Sequence, residues 1–216
     1  MCGASNNSMP ELIPAILVKD ADAFRARLRS MEGSVATVQL DCMDGHFVDN
    51  RSWYAAEPLD TGLEIELHLM VGNPLAVIED WKRVRQVTRA LWHVEIPTDH
   101  GKVVARCREL GWQCGLALSP ETPVERLAQF ANDIDEALVL GVHPGWSGQV
   151  LIPSTLDKLD QIKARWPGLI TGFDGGVTPA NLPDILRHPL DRLNAASAIF
   201  DAPDPAAAVR AILKSV

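Results

Sequence analysis

Long hydrophobic runs are absent. No apolar stretch approaches the ~18 residues that a membrane span requires, and the start has no basic region followed by an apolar one, which argues against a secretory leader. Cysteine is sparse. The four present, Cys2, Cys42, Cys107 and Cys114, have neither zinc-type spacing nor the density of a disulfide scaffold. Basic blocks are missing too, and a formal net charge of −8 argues against a nucleic-acid backbone or an anionic membrane as partner. No composition break or linker divides the 216 residues. These absences leave a reduced, soluble, cytoplasmic protein as the expectation. Its 47% apolar and 22% charged residues suit a sizeable core.

What the chain does have is alternation between short apolar runs and helical patterns. Residues 1–12, small and polar up to Met9-Pro10, are expected to form an N-terminal tail, with one domain over 13–216. Ile13-Pro14-Ala15-Ile16-Leu17-Val18 opens that domain as a strand. Asp20 then caps a helix whose Phe24, Leu28 and Met31 recur at helical spacing up to Gly33. Further strand signals fall at 35–43, 65–70, 90–96, 113–118, 137–142, 169–174 and 191–199. Between them lie helical patterns: from Asn73-Pro74 through Val77, Ile78, Trp81 and Val84, over 101–110 up to Gly111, and through Val124, Leu127 and Phe130. Three more follow at 154–166, 179–187 and 205–214. Residues 49–62 lack a clear period, so the second βα unit is reduced. Eight such repeats predict an α/β fold closed as a single (β/α)8 TIM barrel, with a doubly wound open sheet as the competitor.

Chemistry in such a barrel gathers at the C-terminal strand ends. Asp41, His68, His93 and Asp174 fall there. Each has a plain structural explanation: a strand-end Asp bonded to the next turn, a satisfied core His, an Asp before Gly-Gly as a turn former. Four of them converging on one mouth is harder to dismiss, and two carboxylates with an imidazole suit a divalent ion. Small residues supply the other half. Gly145 to Gly148, Gly175-Gly176 and Ala196-Ser197 follow strands six, seven and eight, where bare backbone N–H groups can cradle a phosphate.

Six motifs then carry a resemblance: Asp41-Cys42-Met43-Asp44-Gly45-His46-Phe47-Val48, Leu67-His68-Leu69-Met70, His93-Val94-Glu95, Gly115-Leu116-Ala117-Leu118, Pro144-Gly145-Trp146-Ser147-Gly148-Gln149 and Asp174-Gly175-Gly176-Val177. In order and spacing they resemble the ribulose-phosphate 3-epimerase family over essentially the whole chain from Ile13. The resemblance implies a phosphate-binding type of barrel that converts D-ribulose 5-phosphate to D-xylulose 5-phosphate. It implies Asp41 and Asp174 as the acid/base pair, acting from opposite faces of an enediolate. One divalent ion would be held by Asp41, His68, Asp174 and the residue at position 39. The phosphate would rest on Gly148, Gly176 and Ser197, with Met43, Met70, Gly145, Gly175 and Ala196 completing the sugar-phosphate site. Assembly into a homo-oligomer is also implied.

The chain departs from the family pattern close to the site. Gln39 replaces the family's histidine ligand, and its neutral carbonyl oxygen is a weaker zinc ligand than imidazole, so manganese, iron or magnesium is expected as an alternative to zinc. Ala15 replaces a serine on strand one, Leu140 a methionine on strand six, and Ala196 a glycine before the last phosphate-binding serine. Two other readings therefore stand beside the first: a related epimerase or isomerase for another ketose or ketose phosphate, and a catalytically silent sugar-phosphate-binding barrel. His143 is expected at the rim, Trp146 over the substrate, and Trp53 exposed as a candidate subunit contact.

Overall fold

The period-two alternation of Thr37–Met43 sorts its side chains. Val38, Leu40 and Cys42 join the large apolar layer between strands and helices, while Gln39 and Asp41 turn to the barrel axis. The same sorting repeats in every strand of the computed structural model, which describes residues 9–215. The strands are β1 (Glu11–Ile16), β2 (Thr37–Met43), β3 (Glu64–Met70), β4 (Val87–His93), β5 (Gln113–Leu118), β6 (Glu136–Leu140), β7 (Ile170–Asp174) and β8 (Arg192–Ala195). All pairs are parallel, in sequence order, and β8 pairs with β1 to close the barrel. The open-sheet alternative is excluded.

The helices are α1 (Ala21–Met31), α2 (Pro74–Trp81), α3 (His100–Glu109), α4 (Asp157–Arg165), α5 (Leu182–Ile185), α6 (Ser197–Phe200) and α7 (Pro205–Leu213). Their starts follow from short polar caps. The side chains of Asp20, Asn73, Asp99 and Asp204 each accept from a backbone N–H three residues on, and Pro74 and Pro205 open their helices.

Several boundaries differ from expectation. β1 begins at Glu11, ahead of the apolar run, because its N–H bonds Asp191 O at 2.8 Å and its carboxylate meets Thr37, Arg89 and Arg192. Of the expected tail, residues 1–8 lie outside those described. No helix forms over 49–62. Trp53 and Tyr54 pack against the core there instead, and Trp53 stacks on Phe24 with ring centroids 5.0 Å apart. Trp53 is thus a half-buried packing residue and not the fully exposed side chain expected. The pattern through Phe130 yields only a 3-10 turn at Val124–Leu127, after which Phe130 and Ala131 share the Leu127 carbonyl. β8 stops at Ala195, and Ser197–Phe200 coils into α6; a short apolar run alone does not distinguish the two.

Inside the barrel the side chains form layers. At the N-terminal end, buried Glu66 and Glu136 are paired with Arg89 and Arg192. Burial, with Glu66 nearby, pushes Glu136 up to about 7. A small apolar layer of Leu91, Ala117, Leu138 and Leu140 fills part of the axis. Asp41, His68, His93 and Asp174 stand at the mouth.

Candidate active site

Asp41 and His68 are register partners on β2 and β3, and Asp174 is the last residue of β7 across the mouth. Their convergence follows from strand ends that stop at the same height. His68 Nδ1 lies 3.2 Å from Asp41 Oδ1 and 3.4 Å from Asp174 Oδ2. All three residues are buried, and their donor atoms lie within 4.8 Å of one another. Burial raises the Asp41 carboxyl above its ordinary range, against the hydrogen bond from His68. Burial would lower His68, but its hydrogen bonds to Asp174 and Asp41 outweigh that and hold it at about 10.

His93 stands behind His68. The two Nε2 atoms are 3.1 Å apart, and His93 Nδ1 faces Glu95 Oε2 and Ser119 Oγ, each at 3.3 Å. Burial brings His93 down to about 4, only partly countered by Glu95. Glu95, despite its own burial, is held at about 2, chiefly by its bond with His93. His93 is therefore neutral at pH 7, carries its proton on Nδ1 toward Glu95, and accepts at Nε2 from His68. That leaves His68 Nδ1 facing the carboxylates. His68 Nδ1 holds a proton between the two acids, and an imidazole oriented this way would ligate an ion that takes that proton's place. Asp41, His68 and Asp174, two acids and an oriented imidazole, fit a divalent cation.

A cavity opens above them. Met43, Met70, Leu17 and Leu140 line it together with Gly145, Gly148, Gly175, Gly176, Ala196 and Ser197. Gly176 has φ +71°, and a Cβ there would lie 2.7 Å from Leu151 Cα, so this loop admits only glycine without moving backbone. His143 is exposed on the rim, 3.5 Å from Glu121, and Trp146 is 59% exposed beside the opening. Asn50 ties the loop after β2 to the loop after β6 through a bond from Nδ2 to Gly145 O at 2.6 Å.

Two expected residues lie elsewhere. Ala15 is buried and does not reach the cavity; Leu17 does. Gln39 sits beneath the carboxylates and turns its amide nitrogen toward them, 2.8 Å from Asp41 Oδ1 and 2.8 Å from Asp174 Oδ2. The expected carbonyl ligand faces away, toward Asn194. Asn194 itself escaped sequence reasoning, since a lone Asn on a strand signals nothing until its partners are known.

A closed barrel with small-residue loops at its mouth and a buried acid–imidazole–acid cluster that could hold a metal ion is a TIM barrel of the enzyme type. The family model described as "Ribulose-phosphate 3 epimerase family" matches residues 11–200. The chain belongs to that family, whose members are carbohydrate isomerases. It is 32% identical to ribulose-phosphate 3-epimerase 2 of Cupriavidus necator, covering 94% of this chain and 89% of that one. It is 30% identical to the cytoplasmic isoform of ribulose-phosphate 3-epimerase from Oryza sativa, over 95% and 94%. Among solved structures, KGPDC from Streptococcus mutans superposes with a TM-score of 0.70 at 14% identity, over 96% of this chain and 97% of that one. Orotidine 5'-monophosphate decarboxylase from Sulfolobus solfataricus superposes at 0.65 with 13% identity, over 96% and 97%. These two likenesses concern the fold alone. Among the described residues, no helix is long and apolar enough to cross a membrane.

Proposed function

We propose that the chain interconverts D-ribulose 5-phosphate and D-xylulose 5-phosphate by moving the proton on carbon 3. The observation that carries this reading is the pair of buried carboxylates, Asp41 and Asp174, meeting across the mouth from β2 and β7. Inversion at a carbon next to a carbonyl needs one group to take the proton from one face and another to return a proton to the opposite face. Two carboxylates facing each other over a flat intermediate meet that need. Burial raises Asp41, which brings its pKa nearer the operating pH and suits it to both directions of transfer. A divalent ion (zinc, manganese, iron or magnesium) held by Asp41, His68 and Asp174 would supply positive charge beside the oxygens on carbons 2 and 3.

The remaining roles follow from position. Backbone N–H groups of Gly148, Gly176 and Ser197 hold the phosphate and so fix carbon 3 between the acids. Met43, Met70 and Leu140 give the sugar an apolar wall that keeps bulk water from the reacting carbon. A second reading, another ketose phosphate as substrate, has support in strand one presenting Leu17 and not Ala15 to the cavity and in the Ala196 methyl beside the phosphate loops. A cytoplasmic setting belongs to the first reading and has support in the relative named a cytoplasmic isoform; self-assembly is part of the same reading.

The test is exchange in heavy water. Purified protein is given ribulose 5-phosphate with zinc, manganese, iron or magnesium in turn, and carbon 3 is followed by NMR. Deuterium at carbon 3 with xylulose 5-phosphate formed is the expected result. No exchange with any ion would move the assignment to another ketose phosphate or to a silent binding barrel.

A further inference from the structure

Gln39 stands where the family's histidine would ligate an ion, yet the interior of this barrel turns the wrong end of its amide to that task. The two ends of an amide have the same shape, so polarity decides which way it lies. Gln39 is fully buried and does not line the mouth cavity. Its Nε2 donates to Asp41 and Asp174, which uses both of its protons. Its Oε1 accepts from Asn194 Nδ2 at 2.7 Å, and the same nitrogen donates to Glu66 Oε1 at 2.9 Å. The other oxygen of Glu66 lies 2.8 Å from Arg89 Nε.

The order of these links is forced from one end. Arg89 is a cation that only donates; burial raises Glu66, but its ion pair with Arg89 favours the carboxylate, which accepts from Asn194. Asn194 must then donate to it with the nitrogen that also reaches Gln39. Gln39 accepts there and has only its N–H groups left for the site. Turning it over would set its carbonyl against two carboxylates and its NH2 against that of Asn194. Each reversal strands a buried polar group.

We propose that Gln39 is a positioning residue and not a metal ligand: the chain Arg89–Glu66–Asn194–Gln39, of fixed polarity, delivers two N–H groups to Asp41 and Asp174. The two acids are held at a set separation with part of their mutual repulsion offset. An ion at the mouth would be held by Asp41, His68 and Asp174 alone, leaving room for substrate oxygens. The ligand count rests on the ion-binding reading above; the polarity of the chain does not.

The experiment uses the full chain with Co2+ as a spectroscopic probe and Mn2+ in calorimetry. Gln39→Leu is expected to keep the coordination signature of the wild-type Co2+ spectrum, because no ligand is removed, while Mn2+ affinity falls about ten-fold as the two acids lose their N–H donors. A Co2+ spectrum showing the lower coordination number of a lost ligand would make Gln39 a ligand and overturn the proposal. Asn194→Ala frees the amide to turn, so Mn2+ should bind several-fold tighter with an altered Co2+ band, and adding Gln39→Leu should cancel both effects. An Asn194→Ala protein that behaves as wild type would overturn the orienting role.

Metal-free protein gives a separate readout that survives the failure of any variant to bind an ion. The side-chain amide resonances of Gln39, assigned by their loss in Gln39→Leu, should exchange slowly with water and move in Asn194→Ala. Fast exchange or unmoved resonances would refute the chain. A wild-type protein that binds neither Co2+ nor Mn2+ would sink the ion-binding reading, and the amide resonances would still decide the polarity.

Discussion

Replacing His93 with leucine removes the group that fixes the proton on His68, and the cost has a definite pH signature. His93 is fully buried, and burial holds it at about 4 against an ordinary 6.5. A histidine depressed in the folded state stabilises above its unfolded value, and that contribution is lost as pH falls from 6.5 through about 4. At about 1.4 kcal/mol per unit, the window carries roughly 3 kcal/mol. Leucine takes up no proton, so this acid-side loss should vanish. At pH 7 the same change leaves the buried Nε2–H of His68 without an acceptor, at about 1–3 kcal/mol. Urea denaturation of metal-free protein at pH 7 and pH 4.5 reads both effects. The variant should be less stable by about 2 kcal/mol at pH 7, with the gap closing toward pH 4.5. A variant as stable as wild type at pH 7, or equally sensitive to acid over that window, would refute the reasoning.

Three further outcomes are expected. Gly176→Ala should lower stability by about 2–4 kcal/mol in urea, because its φ is +71° and the new Cβ would press on backbone atoms of Leu151. Lys158→Met should cost about 2–3 kcal/mol in the same assay, since Lys158 Nζ donates at 2.8 Å to the carbonyls of Ser119, Pro120 and Thr122, of which Ser119 O also accepts from Thr122 N–H. Ala196→Gly should lower KM for the sugar phosphate several-fold in steady-state kinetics with kcat unchanged, by clearing a methyl from the phosphate side of the cavity.

Much of the barrel was legible because its signals are local. Period-two runs gave the strands, and Asp20, Asn73-Pro74 and Gly111 marked helix ends that the structure keeps. Asp41, His68 and Asp174 were readable because strand ends of one barrel share a face, so residues 133 positions apart in sequence meet without any local clue. What stayed hidden depends on partners. The orientation of Gln39 is set by Asn194, 155 residues away, and through it by Glu66 and Arg89. The role of His93 needed the 3.1 Å approach of two rings from neighbouring strands. The missing helix after β2 was foreshadowed by a weak period, but its replacement by Trp53 packed on Phe24 was not. The end of β8 failed for a simpler reason: Ala198-Ile199-Phe200 is apolar whether it extends or coils.

The central claim, two carboxylates serving opposite faces of one carbon, is tested most directly by splitting them. Asp41→Asn and Asp174→Asn are each given ribulose 5-phosphate and xylulose 5-phosphate in separate heavy-water incubations with the activating ion, and carbon 3 is followed by NMR. Each variant should exchange the carbon 3 proton of one epimer only, the two variants should choose opposite epimers, and neither should interconvert them. Exchange of both epimers by a single variant, or interconversion without one of the two acids, would contradict the mechanism.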